Sequence, residues 1–340
     1  MGFSLFQQVV TSIHDLPAAT DQMQWPGQKA VQIDPGNLAT ECTFVENFRY
    51  GMLGFKTNRR VFMTGPRNTA FHTFCVIDHG TSPAPAQLEH NDYGDQIDRM
   101  AMCGMIAGKD HESFTIGRSG TLLIAAVPWD FIDHYLNQTE SLNLGAQERM
   151  RDAMSKFNQR VLDPEWYQRL TVALRRRTFM PKPDIDGVDF DQLMALIIQC
   201  MVEGTQKTGV SSFPESAAIT RALVEIAYSE DGSTVVTLEK LCEKLRSSER
   251  TIQHDSNRQV GIGPMDFLRR CRFQQVNRAL IDRPTAQLID DRYGRTLKIN
   301  EVFDHFGLTY NSRSRGLYKE WYGRTPKQDQ MDSRKKVVVT

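Results

Sequence analysis

The chain has 340 residues, enough for two domains with sizeable cores, and 40% of them are hydrophobic, as in an ordinary soluble globular protein. No stretch reaches about 18 consecutive apolar residues, and the N-terminus has neither a basic region nor a long apolar core. Neither a spanning helix nor an export signal is therefore expected, and the expected location is the cytoplasm. The formal net charge is zero but unevenly divided: from Val235 to Thr340 there are 21 Lys+Arg against 13 Asp+Glu (net +8), which leaves 20 against 28 (net −8) before it.

Such asymmetry points to a C-terminal part that binds a polyanion and an N-terminal part with a separate task. A basic solvated face with no partner is the plainer alternative. The six cysteines, Cys42, Cys75, Cys103, Cys200, Cys242 and Cys271, form no Cys-x-x-Cys pair. They sit in apolar segments, as buried free thiols do in a reducing compartment.

Residues 1 to about 40 contain Pro17, Pro26, Pro35 and several glycines and read as a loose lead-in. From Glu41 to Pro128, runs such as Cys42-Thr-Phe-Val, Tyr50-Gly-Met-Leu-Gly-Phe, Phe71-His-Thr-Phe-Cys-Val-Ile and Gly120-Thr-Leu-Leu-Ile-Ala-Ala-Val are rich in β-branched and aromatic residues. Short strands at close intervals predict a β-sandwich or small barrel. A helix-like run starts at Pro128. Gly145 to Phe179 reads as helix, broken at Asp163-Pro164, and Phe190 to Glu203 as another. These helices either cover the sheet or pair protomers. Residues 180–189 and 204–214 are connections, and Glu215 to Ser229 is a helix.

From Thr237 the pattern changes. Leu238, Leu241 and Leu245 recur at helical spacing, Arg246 and Ser247 make a turn, and Ser248 is placed to cap the next helix. On that helix Arg250, Gln253, His254 and Asn257 share one side, opposite Ile252 and Ser256. A polar stripe on a capped helix after a tight turn suits a DNA major groove. Arg can pair bidentately with guanine, and Gln or Asn with adenine, although phosphate and sugar take half or more of such contacts. Pro264 opens a long helix to about Ile281. Pro284 to Arg295 reads as a polar loop. A second copy follows: Ile299 to Phe306, Gly307 at the turn, then a helix from about Asn311 to Tyr322. There Tyr310, Asn311 and Arg313 are the groove-facing candidates, and Arg315 and Lys319 the phosphate neutralisers. Lys327 to Thr340 reads as a loose basic tail.

The stretch Thr237 to Pro326 resembles the DNA-binding domain of the AraC/XylS family of transcription regulators. The residues that carry the likeness are Leu241-Cys-Glu-Lys-Leu, Ser248-Glu-Arg-Thr-Ile-Gln, Gly261-Ile-Gly-Pro-Met-Asp-Phe-Leu-Arg-Arg-Cys-Arg-Phe, Val276-Asn-Arg-Ala-Leu, Gly307 and Tyr318-Lys-Glu-Trp-Tyr-Gly-Arg-Thr-Pro. The surroundings of Met265 are loosely similar to the ethanolamine-utilisation regulators. Three positions depart from the family pattern. Ser256 and Ser314 stand where a core Phe is usual, and Phe303 where a small residue is usual. The resemblance implies an α+β chain, with a cupin-like, effector-sensing β domain over residues 1–140 and a helical dimerisation segment over 141–213. A double helix-turn-helix domain then occupies 214–328 and a tail 329–340. It implies duplex DNA, a small-molecule effector, a second copy of the chain and RNA polymerase as partners. The effector-binding residues are not legible, although Phe71, His72, Phe74 and Trp129 are candidates.

An enzyme is the reading from another class. It would be a cupin-type metalloenzyme with an accessory helical domain. There is no His-x-His, and His72, Cys75 and His79 are the nearest approach to a ligand cluster. In a strand, residues 72 and 75 face opposite sides. No metal, cofactor or catalytic residue is expected. A non-specific architectural DNA binder is a further alternative.

Overall fold

The computed structural model describes residues 4–46, 51–66, 71–78, 102–104, 111–118, 120–128, 130, 132, 160–179, 187–202, 205–207, 218–229 and 237–335. They fall into two compact units, one built from 1–11, 15–30 and 39–215, the other from 12–14, 31–38 and 216–340. The chain is α+β, with its β-strands in the N-terminal part and helices in the C-terminal part.

The strands of the larger sheet in the first unit are β1 (Ser4–Val10), β3 (Thr40–Glu46), β4 (Gly51–Thr57), β6 (Phe71–Asp78), β7 (Met102–Gly104) and β9 (Thr121–Pro128). They form a six-stranded antiparallel sheet in the order β1-β3-β4-β9-β6-β7. A three-stranded sheet joins β2 (Lys29–Gln32), β5 (Val61–Pro66) and β8 (His111–Ile116) in the order β2-β5-β8. The expected lead-in is thus ordered. It supplies β1, the short helix α1 (Leu16–Gln22) with Pro17 in its first turn, and β2. Pro17 is at home there because a first-turn N–H has no intrahelical partner.

Two helices, α2 (Pro164–Phe179) and α3 (Gly187–Val202), cover one face of the large sheet. Strand alternation separates its two faces. Val45, Met52, Phe74, Leu123 and Ala125 meet Leu170, Leu174, Leu193, Met194 and Ile197 of the helices in one core. Phe55 points the other way and packs against Trp25, with ring centroids 5.8 Å apart. Gly54 lies where α2 comes closest: a Cβ there would meet Thr178 at 2.5 Å and Phe179 at 2.7 Å. Asp163 caps α2 by accepting from Glu165 N at 3.0 Å. Arg160–Leu162, expected as helix, instead forms strand β10 against β11 (Thr205–Lys207). The β-branched Val161 and the nearby Asp-Pro stop favour that outcome. The helices expected at 145–159 and after Pro128 lie outside the described residues, apart from Asp130 and Ile132, as do Trp129 and the side chain of His72.

The second unit is helical: α4 (Ala218–Tyr228), α5 (Leu238–Leu245), α6 (Glu249–Val260), α7 (Pro264–Ile281), α8 (Arg283–Tyr293), α9 (Ile299–His305), α10 (Ser312–Tyr322) and α11 (Pro326–Lys335). Helix α8 occupies the stretch expected as a polar loop. Asp282 caps it by accepting from Thr285 N at 3.1 Å, Pro284 stands in the first turn, Gly294 ends it at φ 63, and Ile289 is its buried anchor. Helix α11 takes up much of the expected tail. Its anchor is polar rather than apolar, which hides it from a hydrophobic pattern. Tyr318 donates to the buried Asp329 at 2.6 Å, Asn277 Nδ2 donates to Tyr318 at 2.7 Å, and Arg324 holds the other Asp329 oxygen at 3.0 Å. His14 closes the network on Asn277 at 2.9 Å. Burial raises both the Tyr318 phenol and the Asp329 carboxyl above their ordinary values.

Tyr318→Phe removes two buried hydrogen bonds, one accepted from Asn277 and one donated to Asp329, while Asn277 keeps its direct bond to Asp329 at 3.3 Å. Denaturant unfolding of the variant should show a loss of about 1–3 kcal/mol.

Candidate nucleic-acid interface

The first helix-turn-helix is α5, a turn and α6. Thr237 caps α5 through Lys240 N at 3.3 Å, and Arg246 ends it in the left-handed region at φ 48. Ser248 caps α6 by accepting from Thr251 N at 3.1 Å. Gly261 stops α6 at φ 70, a conformation that glycine adopts without a Cβ penalty. Ile252, Ser256, Gln259 and Val260 are buried, while Arg250, Gln253, His254 and Asn257 are exposed or, for His254, mostly so. The polar stripe therefore faces outward, with the His254 side chain 69% exposed. Gln253 is held near the start of α7, because a Cβ on Gly263 would lie 3.4 Å from its Oε1. The buried Ser256 has a use of its own: its hydroxyl donates to the Ile262 carbonyl at 2.8 Å and ties α6 to the linker.

The second helix-turn-helix is α9, Gly307 at φ 66, and α10. Asn311 and Ser314 cap α10 reciprocally: Ser314 N donates to Asn311 Oδ1 at 2.9 Å, and Asn311 N donates to Ser314 Oγ at 2.8 Å. Phe303 on α9 is fully buried, with ring centroids 5.0 Å from Tyr310, 6.1 Å from Phe273 and 6.2 Å from Tyr318. Phe303 thus supplies the aromatic volume between α9 and α10, and Ser314, buried beside it on α10, serves as half of the reciprocal cap.

This packing decides which side chains of this copy reach solvent. Tyr310 is half-buried against Phe303, and Asn311 is engaged as a cap. Arg313, Arg315 and Lys319 are exposed, and Arg315 lies 5.8 Å over the Tyr310 ring. More cations flank this copy than the motif alone suggests. Arg292, Arg295 and Lys298 are exposed around the start of α9. Arg295 grips Glu301 through two bonds of 2.8 and 2.9 Å, and Lys298 N donates to the same carboxylate at 2.7 Å. The Arg295 bonds, then the Lys298 bond, hold Glu301 at about 2 against an ordinary 4.5. The signal in the sequence is Glu301 three residues after Lys298, the spacing of a helix-start box. His305 meets the Tyr293 ring edge-on, with centroids 5.8 Å apart, and its hydroxyl at 3.1 Å, and burial followed by Arg292 lowers its pKa.

Among the described residues no group of three or more His, Cys, Asp or Glu is placed to hold a metal ion. His79 lies outside the described residues, as do the side chains of His72 and Cys75. No helix among the described residues is long and apolar enough to cross a membrane.

No protein-family model matches the sequence. No curated protein matches it either. Among solved structures, the AraC-like transcriptional activator CuxR is similar at 10% identity and a TM-score of 0.37, over 80% of this chain and 94% of that one. ToxT from Vibrio cholerae is similar at 8% identity and a TM-score of 0.26, over 97% and 98%. A DNA-binding transcriptional dual regulator from Escherichia coli K-12 is similar at 18% identity and a TM-score of 0.28, over 34% and 92%.

Phe303→Ala should cost about 3–5 kcal/mol in unfolding experiments. Adding Ser314→Phe should recover part of that loss if the two positions exchange one aromatic volume. The pH profile tests the Arg295–Glu301 grip. Its folded pKa is depressed, so its contribution is present above pH 4.5 and is lost as pH falls toward 2. Glu301→Gln should flatten the stability profile over that interval.

Proposed function

We propose that the protein is a sequence-specific DNA-binding transcription regulator of the AraC/XylS type. One observation carries the reading: two helix-turn-helix units, each with a side-chain-capped second helix, are mounted on the single 18-residue helix α7. At 1.5 Å per residue that helix is about 27 Å long. A connector of that length is of the order of the roughly 34 Å between neighbouring major-groove turns on one face of B-DNA, which supports the reading that the two second helices enter successive turns. The exposed stripe Arg250, Gln253, His254 and Asn257 is the primary base-reading surface. In the second copy Arg313 stands for base contact and Arg315 and Lys319 for phosphate. Ser248 and Asn311 act as caps whose first-turn N–H groups are then presented to the backbone.

In this proposal the chain divides as the resemblance implies: 1–140 for effector sensing in a cupin-like domain, 141–213 for the helical segment, and 214–328 for DNA. A small-molecule effector, RNA polymerase and a second copy are its partners in the cytoplasm. An effector acts only by binding the DNA-competent and incompetent arrangements with different affinity. The C-terminal net charge of +8 supplies the salt-dependent component of binding.

The test is a gel shift against the DNA upstream of its own gene, over a salt series, with random duplex as competitor. The proposal expects clear preference for the upstream DNA, and absence of preference would sink it. Arg250→Ala should weaken specific binding by about 1–3 kcal/mol and relax selectivity. Equal loss on both duplexes would reduce Arg250 to a phosphate contact.

A further inference from the structure

Strand β1 is the outer strand of the six-stranded sheet and pairs with β3 from Ser4↔Glu46 to Val10↔Thr40. Among the described residues it has no strand on its other side. Edge strands in soluble proteins are usually guarded by charge, proline, bulges or shortness, because their free N–H and C=O groups recruit another strand. The sequence Ser4-Leu-Phe-Gln-Gln-Val-Val has none of these guards. It is seven residues long, uncharged, free of proline and paired without a bulge.

Its side chains add a second observation. Leu5 is 50% exposed and Val9 is 61% exposed, and they lie on one face of the strand with Gln7 between them. Val10, on the opposite face, is buried. The two acidic neighbours on β3 are tied back: Glu41 accepts from Gln7 at 3.0 Å and Glu46 from Gln24 at 2.7 Å. Helix α2 packs against β3, β4 and β9 inside the protomer, and α3 joins the same core through α2.

We propose that β1 is a dimerisation edge, on which the β1 of a second copy adds antiparallel to make one continuous sheet. It gives the second copy named under the proposed function a definite surface, yet it is tested without DNA, so either reading can fail alone. The strand is self-complementary under a two-fold axis through Gln7. Leu5 of each copy then faces Val9 of the other, Phe6 faces Gln8, and Gln7 faces itself. An isologous contact demands such matching of a patch with itself. Antiparallel pairing accepts the axis whether Gln7 forms a hydrogen-bonded or a non-hydrogen-bonded pair. Seven paired residues a side make an interface at the small end, below about 1,000 Å² in total, so the dimer forms and dissociates with concentration.

Sedimentation of the full chain, from about 1 to about 100 μM, should show the mass rising from monomer toward dimer. Val9→Lys places an ammonium beside Glu41 of its own chain, which is harmless to folding, and opposite Leu5 of the second copy. Leu5→Glu is the complementary change. Each alone should weaken dimerisation by about tenfold or more, with an unchanged far-UV spectrum and, at concentrations where the chain is monomeric, an unchanged melting point. Combined in one chain, Leu5→Glu and Val9→Lys set the new carboxylate of each copy against the new ammonium of the other, twice across the axis, and should restore the dimer. Four outcomes overturn the proposal: a wild-type monomer throughout, a dimer indifferent to both single changes, single-variant losses accompanied by an altered spectrum or melting point, or loss without rescue in the combined variant. The first would show an idle edge, the second another dimer surface, the third lost folding and the fourth a different occupant or register.

Discussion

Both helix-turn-helix units depend on the burial of α7. Phe267, Leu268 and Cys271 are buried toward its N-terminal half, and Phe273, Val276, Ala279 and Leu280 belong to the core of the second unit. Polar anchors fix its rotation. Gln274 donates to Tyr228 at 3.0 Å, Gln275 to the Ala227 carbonyl at 2.5 Å, and the buried Arg272 to the carbonyl of Gly307 at 3.3 Å. The Arg272 bond reaches furthest, because Gly307 is the turn of the second helix-turn-helix. The buried Arg272 guanidinium thereby ties α7 to the turn between α9 and α10. Buried polar groups of this kind are costly when unpaired, and so they specify one arrangement over its near neighbours.

The two reading units solve the same packing problem differently. Each has a serine where an aromatic ring would fill the space beneath the reading helix. In the first unit Ser256 bonds the linker carbonyl of Ile262 and leaves the outward stripe intact. In the second, Phe303 fills the space from the other helix and draws Tyr310 into the core with it. The consequence for function is asymmetric. The first unit keeps four hydrogen-bonding side chains on its open face. The second offers chiefly Arg313, Arg315 and Lys319, of which the proposal gives one to a base edge and two to phosphate. Arg292, Arg295 and Lys298 reinforce that character around α9.

Much of the helical C-terminal part was legible in the sequence because its elements advertise themselves locally. Ser248, Gly261, Pro264, Gly307 and Gly323 mark starts and stops by backbone chemistry that needs no tertiary context. What stayed hidden depends on partners distant in sequence. Helix α8 buries only Ile289 among its large apolar residues and otherwise reads as polar. Helix α11 is secured by Asp329 through Tyr318 and Asn277, a link no periodicity reveals. In the N-terminal part β1 and α1 were hidden by a scatter of Pro and Gly that the fold uses at element ends. The stripe at Arg250 to Asn257 was legible from helical spacing alone, whereas the inward turn of Tyr310 followed from Phe303 and could only be seen in three dimensions.

The central claim is that two units on one helix read two successive groove faces, the first by base contacts and the second mainly through the backbone. Selection of bound sites from a random duplex pool by the full chain measures this directly. The account predicts one strongly specified element of a few base pairs, with a weakly specified region about one helical turn, roughly 10 base pairs, to one side. Enrichment of two equally specified elements would contradict the asymmetry, and no enrichment at all would contradict sequence-specific binding itself.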